Sequence, residues 1–337
     1  MRNGIAVMAA LLLVVAGALS LGGCSCGFDC TNEDTRGTTQ LTLGLSDALP
    51  EDLKQVVLEI DSISFRRTGA EDVTVERFTI PALNLASADT FQIDLLRYRG
   101  RNQLVVITDL ELPAANYSQV LIKVLGGDVN RSYVQRSDDS FRELSVAGGV
   151  LSVPGANFAR GEQAYTLEFG LAQSLQLQSS GTAYLMSTQG IRLENNATAA
   201  SLSGRIDSSL FDSTAPCSEK TDPTEGNRVY LYRGSPQSGK RLGDVFNSNS
   251  ATSVPSDVLA PFAVASLVQN ALTANWEYVF GFLPAGDYTL AFACNTAADD
   301  SVNYDGLVVP QPTAQVYPVT LATGGALVCD LTPSGKC

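Results

Sequence analysis

The chain of 337 residues contains no histidine. Histidine is the side chain most often used as a general base near neutral pH, and it is the commonest metal ligand in proteins. Its absence excludes Ser-His-Asp and Cys-His catalysis, and it excludes zinc and haem sites that use histidine ligands. Catalysis by carboxylates or by a Ser-Lys pair remains possible, although no residue pattern points to either.

Aromatic residues make up only 7% of the chain, and Trp276 is the single tryptophan. Glycan-binding β-sandwiches usually present several exposed aromatic side chains, so this composition weakens a carbohydrate platform without excluding it. The sequence has no Gly-rich phosphate loop, dinucleotide fingerprint or Gly-x-Ser-x-Gly elbow. The net charge of −13 argues against nucleic acid as a partner and against direct attraction to anionic membrane surfaces.

The start of the chain has the layout of a bacterial secretory signal. Arg2 precedes an apolar run over residues 5–21, which ends in Leu21-Gly22-Gly23-Cys24 and resembles a lipobox. We expect a signal peptide at 1–23, cleavage before Cys24, and lipid attachment at Cys24 as the contact with the membrane. The alternative is a membrane-spanning anchor, for which a run of about 17 residues is short. Ser25 follows Cys24 in place of Asp, which favours the outer membrane of a Gram-negative envelope.

Seven cysteines are present: Cys24, Cys26, Cys30, Cys217, Cys294, Cys329 and Cys337. If Cys24 carries lipid, six remain, and an exported chain meets an oxidising compartment in which disulfides are the default. Six cysteines allow fifteen pairings, of which we favour Cys217–Cys294 and Cys329–Cys337, with Cys26–Cys30 as the remainder. A metal cluster is the alternative, but such sites usually show closely spaced Cys pairs with returning partners.

Residues 24–38 are small, polar and charged, and we predict that they form a tether. From Gln40 onward, alternating apolar residues and turns rich in Gly, Pro, Asn and Asp predict an all-β fold. The polar segment 195–198 marks a boundary between two consecutive β-sandwich domains (immunoglobulin/transthyretin-like), at 39–196 and 199–337. Residues 209–226 and 233–257 are rich in Ser, Asp, Pro and Gly, and are predicted to be long exposed loops.

Two local patterns refine this prediction. Val56, Leu58 and Ile60 alternate, but the next apolar pair, Ile63 and Phe65, is out of step by one residue, which indicates a strand with a bulge. A turn motif also occurs twice, as Leu-Pro-Ala-Ala-Asn-Tyr at 112–117 and Leu-Pro-Ala-Gly-Asp-Tyr at 283–288. Proline presets the first turn residue, and we expect each tyrosine to pack its ring in the next strand and bond backbone through its hydroxyl.

Several of these stretches resemble bacterial lipoproteins that carry the domain of unknown function numbered 4382. The resemblance rests on residues 43–48, 56–63, 93–96 and 112–114, while 281–294 is similar to the carboxypeptidase-regulatory-like second half of such proteins. It spans about residues 40–330, and Ala115 stands where the family usually has Gly. The resemblance implies a transthyretin-like sandwich for the second half, and it supplies no catalytic residues.

Two clusters of polar side chains are candidate sites. Asp299, Asp300, Asn303 and Asp305 fall close together and could hold Ca²⁺ with hard oxygen ligands. Their spacing does not match an EF-hand loop, and a solvated acidic loop is the alternative. Arg97, Arg99 and Arg101 alternate and would share one side of a strand, which suits a small anion or a glycan phosphate. A charged hairpin turn that discourages edge pairing is the alternative there.

These observations favour a non-catalytic, lipid-anchored protein of the cell envelope that binds a protein or glycan partner, with no cofactor other than the candidate Ca²⁺. Binding would use the loops of the second domain, since sites usually lie on loops of a rigid scaffold. The alternative is a carboxylate-based, glycan-active enzyme, which needs two acids about 5–9.5 Å apart in a cleft.

The lipid anchor is directly testable. A Cys24→Ser substitution removes the thiol that would carry lipid, so the protein should move from the membrane fraction to the soluble fraction. Cell fractionation followed by immunoblotting measures this, and an unchanged membrane fraction would contradict the anchor.

Overall fold

The structure is a computed structural model that describes residues 37–48, 53–212, 217, 220, 222–236, 239–247, 253–335 and 337. The predicted signal peptide, Cys24, Cys26, Cys30 and nearly all of the tether lie outside these residues. Residues 36–337 cluster as one compact unit. Within the described residues, no helix has the length and apolar character needed to cross a membrane.

The first half of the unit is built from strands, with short helical turns between some of them. The strands are β1 (Thr38–Ala48), β2 (Leu53–Arg66), β3 (Val73–Val75), β4 (Phe78–Ile80), β5 (Leu85–Ala88), β6 (Phe91–Asp94), β7 (Leu104–Pro113), β8 (Ala115–Asn116) and β9 (Gln119–Val124). They continue as β10 (Tyr133–Arg136), β11 (Phe141–Val146), β12 (Val150–Pro154), β13 (Asn157–Phe158), β14 (Gly161–Gly170), β15 (Leu175–Leu177), β16 (Ala183–Met186) and β17 (Ile191–Asn195). The helical turns are α1 (Leu171–Ser174) and 3-10 turns at Pro81–Leu83, Leu95–Arg97 and Ala147–Gly149.

Two main sheets of this half enclose one core. The first has the order β17-β14-β1-β7, and the second is nine-stranded with the path β12-β9-β2-β10-β11-β16-β15 and with β3 and β6 also paired to β2. Alternate residues of β1 point into the core, so Leu41, Leu43 and Leu45 are fully buried. Side chains of both sheets belong to the same buried cluster, which is the arrangement of a sandwich.

The long strand β2 contains the bulge that the sequence predicts. Its pairing with β9 shifts register between Ile60 and Ser62. Because the shift moves the inward-facing positions from even to odd numbers, Leu58, Ile60, Ile63 and Phe65 are all fully buried.

The second half contains two four-stranded sheets. Its elements are β18 (Ala200–Ile206), α2 (Ser209–Asp212), β19 (Arg228–Arg233), β20 (Arg241–Leu242), β21 (Val258–Leu259), β22 (Ala263–Ser266), β23 (Val268–Gln269), β24 (Trp276–Leu283), β25 (Gly286–Ala293), β26 (Val316–Leu321) and β27 (Ala326–Val328). The sheet orders are β23-β24-β18-β27 and β22-β19-β25-β26, and both contribute to one core cluster. The all-β prediction is confirmed.

Strand β19 is buried on both of its faces. Val229 and Leu231 belong to the core between the sheets, whereas Tyr230 and Tyr232 belong to a second cluster on the outer face. Val245 completes that outer cluster and is fully buried. The prediction of exposed loops is therefore wrong for 242–247, which cover the sheet. It is also wrong for α2, where Leu210 and Phe211 are buried against the core.

The repeated turn motif forms the same hydrogen bond in both halves. The Tyr117 hydroxyl donates to the Pro113 carbonyl at 3.1 Å, and the Tyr288 hydroxyl donates to the Pro284 carbonyl at 2.8 Å. Each of the two tyrosines is only 1% exposed. The predicted packing and backbone hydrogen bond of each tyrosine are confirmed, because each hydroxyl satisfies a turn carbonyl while the ring fills a core.

The two halves contact each other closely within the compact unit. A Cβ atom on Gly281 would lie 1.8 Å from the Gly100 carbonyl oxygen, so the backbones meet where only glycine fits. The Gln173 amide donates to the Pro261 carbonyl at 3.1 Å, and the Arg192 guanidinium lies 4.8 Å from the Phe262 ring centre. In each described sheet, all strands come either from before residue 196 or from after residue 199. The division into two domains stays a prediction.

Two of the favoured disulfides are present. Cys217 pairs with Cys294 across 77 residues, and Cys329 pairs with Cys337 across 8 residues. A disulfide stabilises mainly by restricting the unfolded chain, and the effect grows with the length of the loop it closes.

The two disulfides should therefore differ in their contribution to stability. Loop entropy predicts that Cys217→Ala with Cys294→Ala lowers the free energy of unfolding by about 4.5 kcal/mol, against about 2.5 kcal/mol for Cys329→Ala with Cys337→Ala. Urea denaturation of the two double variants measures both, and each serves as the control for the other. An equal loss in both variants would contradict the loop-length argument.

Candidate functional site

A cavity of about 740 Å³ lies where the two halves meet. The first half contributes Asp47, Arg97, Arg99 and Asn102 to its lining. The second half contributes polar and apolar residues from five strands and the C-terminal segment: Ser203, Gly204, Arg205, Ala265, Ser266, Val268, Glu277, Tyr278, Val279, Val328 and Asp330. Cavities of about 300–1,000 Å³ are typical of small-ligand sites.

The arginine segment is held by the end of β1. The 3-10 turn Leu95–Arg97 begins after Asp94, whose side chain accepts a hydrogen bond from the Leu96 N–H at 3.3 Å. The Tyr98 carbonyl then accepts from the Asp47 N–H at 2.8 Å. These contacts fix the backbone on both sides of Arg97 and just before Arg99.

The three arginines do not share one surface, contrary to a simple strand alternation. Arg97 and Arg99 line the cavity, whereas Arg101 donates to the Ala199 carbonyl at 3.4 Å and joins the two halves. The reason is local, because Arg97 ends a 3-10 turn and Gly100 has a positive φ of 62° that turns the chain.

On the opposite wall, Arg205 lies beside the acidic residues Glu277 and Asp330. Arg205 on β18 and Glu277 on β24 are cross-strand partners. The Asp330 carboxylate accepts from the Arg205 backbone N–H at 2.8 Å, and the Glu277 carboxylate accepts from the Asn270 amide at 3.1 Å. The cavity therefore combines guanidinium donors with carboxylate acceptors, a set that can bind hydroxyl, carboxylate or phosphate groups.

The Asp299–Asp305 loop is only partly assembled as the sequence suggests. Asp300 accepts from the N–H groups of Val302 and Asn303 at 2.7 and 3.1 Å, so it shapes the loop itself. Asp299 and Asp305 instead approach Asp244, and oxygen atoms of these three carboxylates all lie within 4.8 Å of one another.

Asp299 is held firmly by the strands beneath it. Its buried carboxylate accepts from the Arg228 guanidinium at 2.8 Å, the Tyr230 hydroxyl at 2.5 Å and the Val245 N–H at 3.0 Å. Burial raises the pKa of Asp299, and the nearby Arg228 charge opposes that shift. The sequence did not point to Asp244, because this residue is distant in sequence from Asp299 and lies in a segment predicted to be exposed. The apolar pair that follows it, Val245-Phe246, was the available signal of burial.

A further buried carboxylate lies in the first sheet. Glu168 on β14 is 1% exposed, next to Ser46 on β1 and Arg192 on β17. Burial raises the pKa of Glu168 to about 7, with the Arg192 charge and the Ser46 hydroxyl acting in the opposite direction. It does not line the cavity.

Comparison with known proteins gives a family match for the first half. Residues 38–187 match the model of the family described as a domain of unknown function, DUF4382. The match begins with the first residue of β1 and ends just after β16, so the second half lies outside it. No curated protein sequence matches the chain significantly.

Solved structures give weak overlaps only. A leucine-rich repeat protein from Bacteroides thetaiotaomicron is 10% identical, with 87% of this chain and 25% of that chain covered and a TM-score of 0.17. A "putative cell adhesion protein" from Bacteroides fragilis is 9% identical, with 87% and 92% covered and a TM-score of 0.20. Another of the same description from Bacteroides eggerthii is 9% identical, with 88% and 86% covered and a TM-score of 0.17. TM-scores this low establish no shared topology.

The raised pKa of Glu168 predicts a pH-dependent stability difference. The folded chain holds this proton up to about pH 7, whereas the unfolded chain releases it near the ordinary value of 4.5. The stabilising effect of the proton is thus present below pH 4.5 and lost as the pH rises through 7. Glu168→Gln should raise the free energy of unfolding by about 3 kcal/mol above the folded pKa, with no gain below the unfolded pKa.

Urea denaturation of the variant and the parent across this pH range measures the difference. Glu162→Gln is the matched control, because Glu162 lies on the same strand with an exposed side chain. A Glu168→Gln effect that does not change with pH would contradict the buried-proton explanation.

Proposed function

We propose that this protein is a non-catalytic, lipid-anchored protein of the cell envelope that binds a glycan of a neighbouring envelope component. The observation that carries the proposal is the cavity between the halves, in which Arg97 and Arg99 lie on one side and Arg205 on the other. The lining also contains three carboxylates, from Asp47, Glu277 and Asp330.

The chemistry of the lining suits a hydroxyl-rich ligand. A guanidinium group offers two parallel donors, and a carboxylate offers two acceptors, so alternating groups can bind pairs of hydroxyls or an acidic substituent. Val268, Val279 and Val328 add apolar surface against which a sugar ring can pack. Equal numbers of arginines and acids make this surface less negative than the chain as a whole, which carries a net charge of −13.

The remaining parts of the proposal come from the sequence. The Leu-Gly-Gly-Cys motif ending at Cys24 supports a lipoprotein anchor, and Ser25 supports the outer membrane. The match at 38–187 assigns no activity, since its family is described only by a domain of unknown function. We assign the second half, 199–337, to a transthyretin-like sandwich from its resemblance and its pair of four-stranded sheets.

A second candidate is a carboxylate-based, glycan-active enzyme, favoured by the three acids in the cavity. Such an enzyme needs a pair of suitably spaced acids and usually an aromatic wall for the sugar. Among the described lining residues the aromatic one is Tyr278, which is 2% exposed and donates its hydroxyl to the Cys329 carbonyl at 2.7 Å. This favours binding over turnover.

The proposal predicts that the cavity arginines determine binding. On an array of neutral and acidic envelope glycans, Arg99→Ala should weaken binding of a recognised glycan about tenfold or more, because a charged hydrogen bond contributes roughly 1.5–3 kcal/mol. Arg77→Ala is the matched control, since Arg77 pairs with Asp89 at 3.2 Å and does not line the cavity.

Three outcomes separate the hypotheses. Equal binding by Arg99→Ala and the parent contradicts the cavity as the site. New reducing ends from a bound glycan, lost in Glu277→Gln, would support the enzyme. A protein crosslinked by the anchored form but not by the Cys24→Ser form, with no glycan bound, would support a protein partner.

A further inference from the structure

Three carboxylates from two distant parts of the chain converge where the covering segment 242–247 meets the loop after β25. Asp244 lies in the segment that covers β19, and Asp299 and Asp305 lie in the loop after β25. Oxygen atoms of all three lie within 4.8 Å of one another. The Asp305 residue is exposed, so the cluster has access to solvent.

Asp244 is the informative member of this cluster. Its side chain is 0% exposed, and its Oδ2 atom accepts from the Leu307 N–H at 2.8 Å. Its Oδ1 atom is buried and has no hydrogen-bond partner. A buried, unpartnered carboxylate oxygen is costly unless a positive charge neutralises it.

The protein groups around Asp244 do not supply that charge. The other two groups of the cluster, Asp299 and Asp305, are carboxylates as well. Among the described residues, Arg228 is the cation whose ion pair reaches the cluster, and it pairs with Asp299. Two negative charges are therefore left to be balanced, which is the charge of one divalent cation.

We propose that Asp244, Asp299 and Asp305 bind a divalent cation, with Ca²⁺ preferred to Mg²⁺. The Ca–O distance is about 2.3–2.6 Å, so two ligands on opposite sides of the ion lie about 4.6–5.2 Å apart. No two of these oxygens are more than 4.8 Å apart, so all three can reach one Ca²⁺ ion. Mg²⁺ requires about 2.0–2.1 Å and hence a tighter cluster. Water and backbone carbonyls would complete the six to eight oxygen ligands that Ca²⁺ takes.

This site differs from the one that the sequence suggests. Asp300 is not in the cluster, and its carboxylate accepts from the N–H groups of Val302 and Asn303 instead. Asp305 stays in the cluster although its Oδ2 atom accepts from the Asp300 N–H at 2.7 Å. The ion would instead join two segments that already touch, through the Asn247 N–H to the Val302 carbonyl at 3.0 Å and the Phe246–Tyr304 edge contact. Its role would be to fix residues 242–247 over the sheet that contains β19.

The test is calcium binding by the full chain after dialysis against EDTA. Titration calorimetry with CaCl₂ should give one site. Ca²⁺ at about 100 times the dissociation constant should raise the thermal midpoint by roughly 5 °C, and the same concentration of MgCl₂ should raise it less.

Variants assign the site to its residues. Asp244→Asn should weaken Ca²⁺ binding at least tenfold, and in EDTA it should melt no lower than the parent, because it removes an unbalanced buried charge. Asp300→Asn is the matched control, since an amide oxygen can still accept the two loop N–H groups, and its response to Ca²⁺ should equal that of the parent. If Asp244→Asn does not fold, Asp305→Asn provides the same measurement from the exposed side.

No heat and no thermal shift with Ca²⁺ would overturn the proposal, as would an unchanged Ca²⁺ response in Asp244→Asn or Asp305→Asn. Loss of binding in Asp300→Asn alone would return the site to the loop and contradict the three-carboxylate assignment. An equal response to Mg²⁺ would overturn the preference for calcium. None of these outcomes depends on whether the cavity binds a glycan.

Discussion

Strand β1 is held between a parallel partner, β14, and an antiparallel partner, β7, and much of the molecule depends on this pairing. The parallel register runs from Thr39 opposite Gly161 to Ala48 opposite Gly170. Parallel strands need a crossover connection, and here nearly the whole first half forms that connection. When β1 pairs with β14, the leucines of β1 become buried in the core. Their burial offsets the loop entropy of so long a connection.

The same strand also organises the polar features of the first half. Near its end, Ser46 lies opposite the buried Glu168 of β14. The next residue, Asp47, donates its N–H to the Tyr98 carbonyl and so holds the arginine segment. A change in the register of β1 by one residue would exchange its core and outward faces. It would also separate Arg97 and Arg99 from the wall formed by the second half, so the cavity depends on the same register.

Two buried carboxylates have raised pKa values in a chain without histidine. A histidine changes charge near neutral pH without special surroundings, and this chain has none. Glu168 and Asp244 reach pKa values of about 7 and about 6 because burial disfavours their charged forms. Glu168 is compensated by Arg192 and Ser46, whereas Asp244 faces two other acids. Each has one buried carboxylate oxygen without a hydrogen-bond partner, Oε2 in Glu168 and Oδ1 in Asp244. The difference lies in the neighbouring charges, which are chiefly a cation for Glu168 and two anions for Asp244.

The sequence by itself determined the features whose cause is local. Alternation predicted the strands, a change of parity at Ile60 and Ile63 predicted the bulge, and the Pro-containing motifs predicted the tyrosine turns. Cysteine number and the predicted export favoured the two disulfides that are present. The alternation of apolar and polar residues failed to predict the structure where consecutive residues are buried. It did not predict α1, which separates β14 from β15 and whose Leu171, Gln173 and Ser174 are buried.

Only the tertiary structure decided which distant side chains meet. The cavity joins Arg99 to Arg205, and the carboxylate cluster joins Asp244 to Asp299, although nothing in the residues around either pair indicates the other. The physical reason is that alternation specifies which face of a strand is buried, but not which strands become neighbours. Sheet order and the packing of one layer on another fix those neighbours, and they depend on contacts summed over the whole chain.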